Sequence, residues 1–288
     1  MNTNENEPVF PGARQPGPDH GELLARIDTY YDTAPRATAR AEEHGSLVLF
    51  VAEQGWPFYA RPNLARTTEP TVDEIRKVLA RQLELEVPLA LEWVHDTAPS
   101  LAAVARAAGM TVHECPMLVL ESLLEARPPR TCMTGSPAPD GAVRLMNAED
   151  DDLAVVDAAI RVAFGTPGTA VSDAGVAERD AAASTDASHS LGNTTDALRA
   201  GRTVMVGAFV DEVGAVGGGS HNPRGHVSEM VGVGMLPAFR RRGLGAAVAH
   251  LLSRHALDNG VTTMFCGAES SDVARVYEGV GFRRIGIT

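Results

Sequence analysis

Apolar residues recur along this chain with two alternating spacings. In the first half, strand-like runs at 46–52, 88–94 (PLALEWV) and 110–121 (MTVHECPMLVLE) alternate with helix-like segments, TVDEIRKVLARQLELE over 71–86 and APSLAAVARAAG over 98–109. Alternation of this kind predicts an α/β unit. Between 124 and 141 the pattern gives way to a Pro-rich stretch that holds neither helix nor ladder well. The second half opens with a strand at 142–146 and a helix whose apolar positions are Leu153, Val156, Ala159 and Ile160. A small-residue region follows at 165–202, expected to be helical only in part, with mobile stretches between. Strands are then expected at 203–210 and 212–218, a loop at SHNPRGH (220–226), and a further strand at 227–236. A helix from Gly243 to Asp258, stopped by Asn259 and Gly260, leads to a strand at 261–266, a helix from Asp272 to Val280 and a short strand at 282–288. The implied organisation is a disordered tail over 1–20, a first domain over 21–123, a linker over 124–141 and a second domain over 142–288.

Composition narrows the class. With 44% apolar and 22% charged residues among 288, the chain is rich enough in apolar residues for two cores. No window approaches the roughly 18 uninterrupted apolar residues of a membrane helix. The first twenty residues lack the basic start and apolar run of a secretory signal. Cys115, Cys132 and Cys266 lie far apart with no CxxC pair, so neither a disulfide framework nor a metal site is expected, and a cytoplasmic location follows. The formal net charge of −12 disfavours nucleic acid and favours a cationic partner. Lys77 is the only lysine, a bias that looks like a GC-rich bacterial gene.

The chemistry concentrates in EMVGVGMLPAFRRRGLGAAVAHLLSRHALDNG. Its helix aligns Leu244, Val248, Leu251, Leu252 and His255, which places Arg240 to Gly245 at the helix start. The first amides of a helix lack internal partners and carry partial positive charge, and Gly243 and Gly245 have no Cβ to hold an anion away. Such a turn either cradles a pyrophosphate, with three arginines adding mobile cationic side chains, or is merely solvated. Gly232 and Gly234 interrupt a strand and mark either a bulge or an edge strand that tolerates them.

The run Arg240-Arg241-Arg242-Gly243-Leu244-Gly245, preceded by a strand and Pro237 and followed by helix, strand and a second helix with Tyr277 shortly before Gly281-Phe282, resembles the GNAT acyltransferases. The resemblance implies a mixed α/β (α+β) fold with a mostly antiparallel central sheet flanked by helices. It also implies acetyl-CoA as cosubstrate, no metal, and transfer of an acetyl group to the amine of a small molecule or peptide, by a monomer or homodimer. Carried onto this chain, it assigns the cofactor to Val233, Gly234, Met235, Arg240, Arg241, Arg242, Gly243, Leu244, Gly245, Ala246 and Ser271. The amides near Val233 and Met235 would face the thioester carbonyl, Tyr277 would donate to the departing sulfur, and Glu229 would be the base. Tyr277 could instead pack the core, Ser271 could merely cap its helix, and solvated His221 and His226 are alternative bases. The final strand of the family is expected to be missing or truncated here, and a strand from the first half is expected to cover that sheet edge.

A shift of 172 residues lays Gly109 on Gly281, Ala102 on Ala274, Trp93 on Phe265 and Leu79 on Leu251, which suggests an internal duplication. The positions opposite Arg240 to Gly245 are then Thr68 to Asp73, where phosphate would meet acid. The chain thus resembles tandem GNAT proteins whose first half is degenerate. Two other readings stay open: acetylation of an amino-thiol-sugar precursor, as in mycothiol-synthase-like enzymes, and a non-catalytic acyl-CoA-binding regulatory module.

Overall fold

The computed structural model describes residues 19–53, 59–124, 143–185 and 189–288. Of the expected tail (1–20), residues 1–18 lie outside the described residues, as does 125–141 of the expected linker (124–141); Asp19 and His20 instead cap and open the first helix.

The first half begins with α1 (His20–Thr33), capped by Asp19, whose side chain accepts the Glu22 amide at 2.8 Å. It presents Leu23, Leu24, Ile27, Tyr30 and Tyr31 as one buried face. Three short strands, β1 (Ala39–His44), β2 (Leu47–Ala52) and β3 (Ala60–Pro62), make an antiparallel sheet. Helix α2 (Val72–Glu84) starts in a reciprocal cap between Thr71 and Glu74 and packs Ile75 and Val78 against β2 and α3 (Leu101–Ala107). Only Leu91 of the expected strand at 88–94 pairs, in a lone parallel bridge to Ala60, because β3 is too short to offer more. The first half ends in β4 (Pro116–Leu120).

The second half runs β5 (Val143–Met146), α4 (Leu153–Phe164), α5 (Val176–Thr185), α6 (His189–Arg199), β6 (Val204–Val210), β7 (Gly214–Arg224), β8 (Val227–Met235), α7 (Leu244–Asp258), β9 (Thr263–Gly267), α8 (Ser271–Glu278) and β10 (Phe282–Ile287). A seven-stranded sheet has the order β10-β4-β9-β8-β7-β6-β5, antiparallel throughout except between β8 and β9. The expected loop at 220–226 is not there: β7 continues to Arg224 and turns at 225–226. Pro223 is tolerated because β6 pairs no further than His221, so no ladder on that side is broken.

The first half does contribute a strand to this sheet, but inside it and not over its edge. Met117 to Val119 pair with β9 while Pro116 to Leu120 pair with β10. Alternation along β4 then serves two cores. Leu118 faces α7 and α8 with Met230, Cys266 and Tyr277, whereas Met117 and Val119 face α1 together with Phe265 and Ile285. Under the shift of 172 residues Val72, which opens α2, falls on Leu244, which opens α7, and Leu91 falls on Thr263, itself paired in parallel with β8. Among the described residues no helix is long and apolar enough to cross a membrane.

Candidate functional site

Strands β8 and β9 stay paired only from Val227↔Thr263 to Glu229↔Phe265. Beyond Glu229, β8 runs on to Met235 with β7 alone as neighbour, and the two strands diverge. The fork opens into a cleft of about 990 Å³ lined by both halves. A bulge bends β8 there: Gly234 pairs with Gly218 and Val231 with Ser220, so that Gly232 and Val233 together oppose Gly219, and Gly232 has φ 67°. Leu236 donates its amide to Val216 at 2.8 Å. Amides alternate along an antiparallel strand, so those of Met235 and Val233 point the other way, into the fork.

The chain then leaves β8 through a tight turn at Pro237–Phe239 and enters α7 with two left-handed residues, Arg241 at φ 64° and Gly243 at φ 85°. This path turns the backbone amides of Arg241 through Ala246 away from every protein acceptor among the described residues. Gly243, Gly245 and Ala246 line the cleft, while Leu244 does not, its side chain being buried in the core.

The three arginines separate. Arg240 is not mobile: its guanidinium donates to the carbonyls of Thr166 (2.6 Å), Ala163 (2.9 Å), Met235 (3.2 Å) and Ala170 (3.2 Å). Arg242 turns from the cleft, stacking 4.7 Å over the Phe239 ring and reaching the Ala238 carbonyl at 3.4 Å. Arg241 is exposed, lines the cleft and has no ion pair or hydrogen bond among the described residues. Ser271 does not line the cleft. Its hydroxyl accepts from Arg284 at 3.3 Å, and the cap of α8 is Ser270, which accepts the Val273 amide.

Tyr277 projects from α8 beside Phe282 and lines the cleft. Burial, with the Cys266 thiol adding to it, raises its phenol far above the ordinary range and keeps it a donor. Glu229 stands where β8 and β9 part. Removal from bulk water, and then the charge of Glu92, push its carboxyl up to about 8, while a hydrogen bond from Tyr31 partly offsets this. Tyr31 donates to Glu229 Oε1 at 3.1 Å, Tyr59 donates to the Tyr31 carbonyl at 3.2 Å, and burial likewise raises Glu92. These first-half residues were missed by sequence reasoning. Two adjacent tyrosines on an ordinary amphipathic helix carry no signal of the strand that the helix covers.

His221 is buried and not solvated. One ring nitrogen meets Ser228 at 2.8 Å and the other His255 at 3.1 Å, and burial, followed by His255, lowers its pKa to about 4. It lies outside the cleft lining, and His226 bonds the Gly260 carbonyl at 2.9 Å. Among the described residues no three His, Cys, Asp or Glu side chains are grouped to hold a metal.

Residues 176–282 match the model of the acetyltransferase (GNAT) family. A GCN5-related N-acetyltransferase from Kribbella flavida superposes with TM-score 0.61 at 21% identity, over 92% of this chain and 93% of its own. A GCN5-related N-acetyltransferase from Sphaerobacter thermophilus (TM-score 0.49, 14% identity, 94% and 91% covered) and a tandem GNAT protein from the clavulanic acid biosynthesis pathway (0.48, 14%, 93% and 94%) are more distant. No curated protein matches the chain.

Proposed function

We propose that this chain, whose residues 176–282 form an acetyltransferase domain of the GNAT family, moves an acetyl group from acetyl-CoA to the amine of a small molecule or peptide. The observation that carries this reading is the run of amides from Arg241 to Ala246 at the start of α7, without partners among the described residues and opening on a cleft made by diverging strands. A helix start of this kind suits a diphosphate, and Arg241 is the cation free to join it. The extended arm of the cosubstrate suits the unpaired edge of β8, where Val233, Gly234 and Met235 lie.

Acetyl-CoA supplies an activated thioester. The amides of Val233 and Met235 face the place where negative charge develops on the thioester oxygen. An amine acceptor arrives protonated, and Glu229, with its carboxyl near 8, is matched to take that proton close to neutral pH. Tyr277 donates a hydrogen bond toward the departing sulfur. The four acidic side chains of the lining, Glu92, Glu114, Glu229 and Glu269, stand against three arginines, of which Arg240 and Arg241 sit at the loop read as the diphosphate site, and so favour a cationic acceptor.

The test pairs calorimetry with turnover. The chain should bind CoA and release free thiol from acetyl-CoA with at least one member of an amine panel. CoA affinity untouched by Arg241→Glu would overturn the diphosphate assignment, and tight CoA binding without transfer to any amine would favour a regulatory module.

A further inference from the structure

The C-terminal half holds the base, but the donor and the charge that act on its carboxyl, Tyr31 and Glu92, come from the first half. Glu229 Oε1 takes a hydrogen bond from Tyr31 of α1. Tyr31 is itself 7% exposed and fixed from several sides: edge-on to Phe265 at 5.4 Å, to Tyr59 at 6.3 Å and to Tyr30 at 6.1 Å. Arg61 lies 5.7 Å over its ring and is held by the buried Asp28 of the same helix. Tyr30 is tied down in turn, donating to the Asn222 carbonyl at 2.7 Å. A hydroxyl this constrained can aim one carboxylate oxygen, because neither partner has rotamers to spare.

We propose that Tyr31 is a positioning residue for the transfer reaction, holding the Glu229 carboxyl at the strand fork and favouring its ionised form, so that α1 completes the acceptor side of the site. The inference rests on Glu229 being the base, as read above. The groups facing that carboxyl are Tyr30 and Tyr31 from α1, Glu92 from the segment after α2, Tyr59 just before β3, and Cys266 from β9, while Arg61 lies over Tyr31, is paired with Asp28 and acts on Glu92. Tyr30, Tyr31, Tyr59 and Cys266 are all raised by burial and stay neutral near pH 7. Glu92 is therefore the charge opposing ionisation of Glu229, and Tyr31 the donor assisting it.

These two act in opposite directions, which separates positioning from mere support. In Tyr31→Phe the ring contacts remain and the donor is lost, so the acid limb of the kcat/KM profile should move up by about one pH unit, with a roughly tenfold loss at pH 7. In Glu92→Gln the opposing charge is lost, so the limb should move down. CoA affinity should be the same in both. A Tyr31→Phe limb coincident with wild type, or a uniform loss at every pH, would overturn the inference. Glu229→Gln is the independent control: if it keeps the wild-type limb, the base assignment itself fails, whatever Tyr31 does.

Discussion

Replacing Arg240 by alanine should damage the fold before it damages the ligand, although its neighbour Arg241 should behave the opposite way. The Arg240 guanidinium bridges the end of α4 (Ala163), the following loop (Thr166 and Ala170) and the end of β8 (Met235). Two of its four contacts, at 2.6 and 2.9 Å, are short enough to count fully, and the two at 3.2 Å are at the long end of the normal range. Bonds from a charged donor contribute about 1.5–3 kcal/mol each when buried, but contacts sharing one group are not additive and this side chain is only half-buried, so the loss should be about 3 kcal/mol. For a chain of this size that lowers Tm by roughly 6–12 °C. Differential scanning calorimetry of Arg240→Ala and Arg241→Ala, with CoA titrations on both, provides the test. Arg241→Ala should keep its Tm and lose roughly tenfold in CoA affinity, as expected for one charge-assisted contact. An Arg240→Ala protein as stable as wild type that no longer bound CoA would refute the reasoning, because its guanidinium would then be facing phosphate.

Tyr277→Phe should keep CoA affinity and lower kcat roughly a hundredfold, measured by thiol release, if the hydroxyl meets the departing sulfur. Because Glu229 must be ionised to act, kcat/KM should fall as pH drops below about 8. The same group makes stability depend on pH in the unusual direction: its folded pKa lies above the ordinary carboxylate value, so the native state binds the extra proton and stability declines from about pH 4.5 to 8. Glu229→Gln should therefore be more stable than wild type at pH 9 and little different at pH 4, read by denaturant unfolding at both. Gly281→Ala should cost about 3 kcal/mol or more by the same measurement, since φ is 120° and the added Cβ would run into the Ser122 carbonyl.

The loop before α7 was legible because its signal is local: a proline, a cationic run and glycines, followed directly by a helical stripe, all between Pro237 and His255. The bulge in β8 was legible for the same reason, since Gly232 and Gly234 stand where a strand has no other use for them. What each arginine does was not legible, because three identical side chains differ only in what the turn aims them at. Both Arg240 and Arg241 line the cleft, but extended Arg240 is tied to four carbonyls while left-handed Arg241 has no such contacts among the described residues. The sheet edge was anticipated only in part: a strand from the first half was expected, but its place between β9 and β10 depends on packing over more than a hundred residues of separation. The stretch at 220–226 misled through composition, its Asn, Pro and Gly reading as a loop although β8 runs alongside almost to the end. The tyrosines around Glu229 were invisible as a group, since nothing in α1 announces which strand it covers.

Threading β4 between β10 and β9 of the second sheet means that neither half has a surface at which it could be cut away cleanly. A clone starting at residue 143 would leave β9 and β10 facing an empty slot with raw hydrogen-bonding edges, and should be recovered in inclusion bodies unless a fragment spanning 19–124 is supplied in trans. Melting should accordingly be a single event for the whole chain, even though its order of elements reads as two repeats.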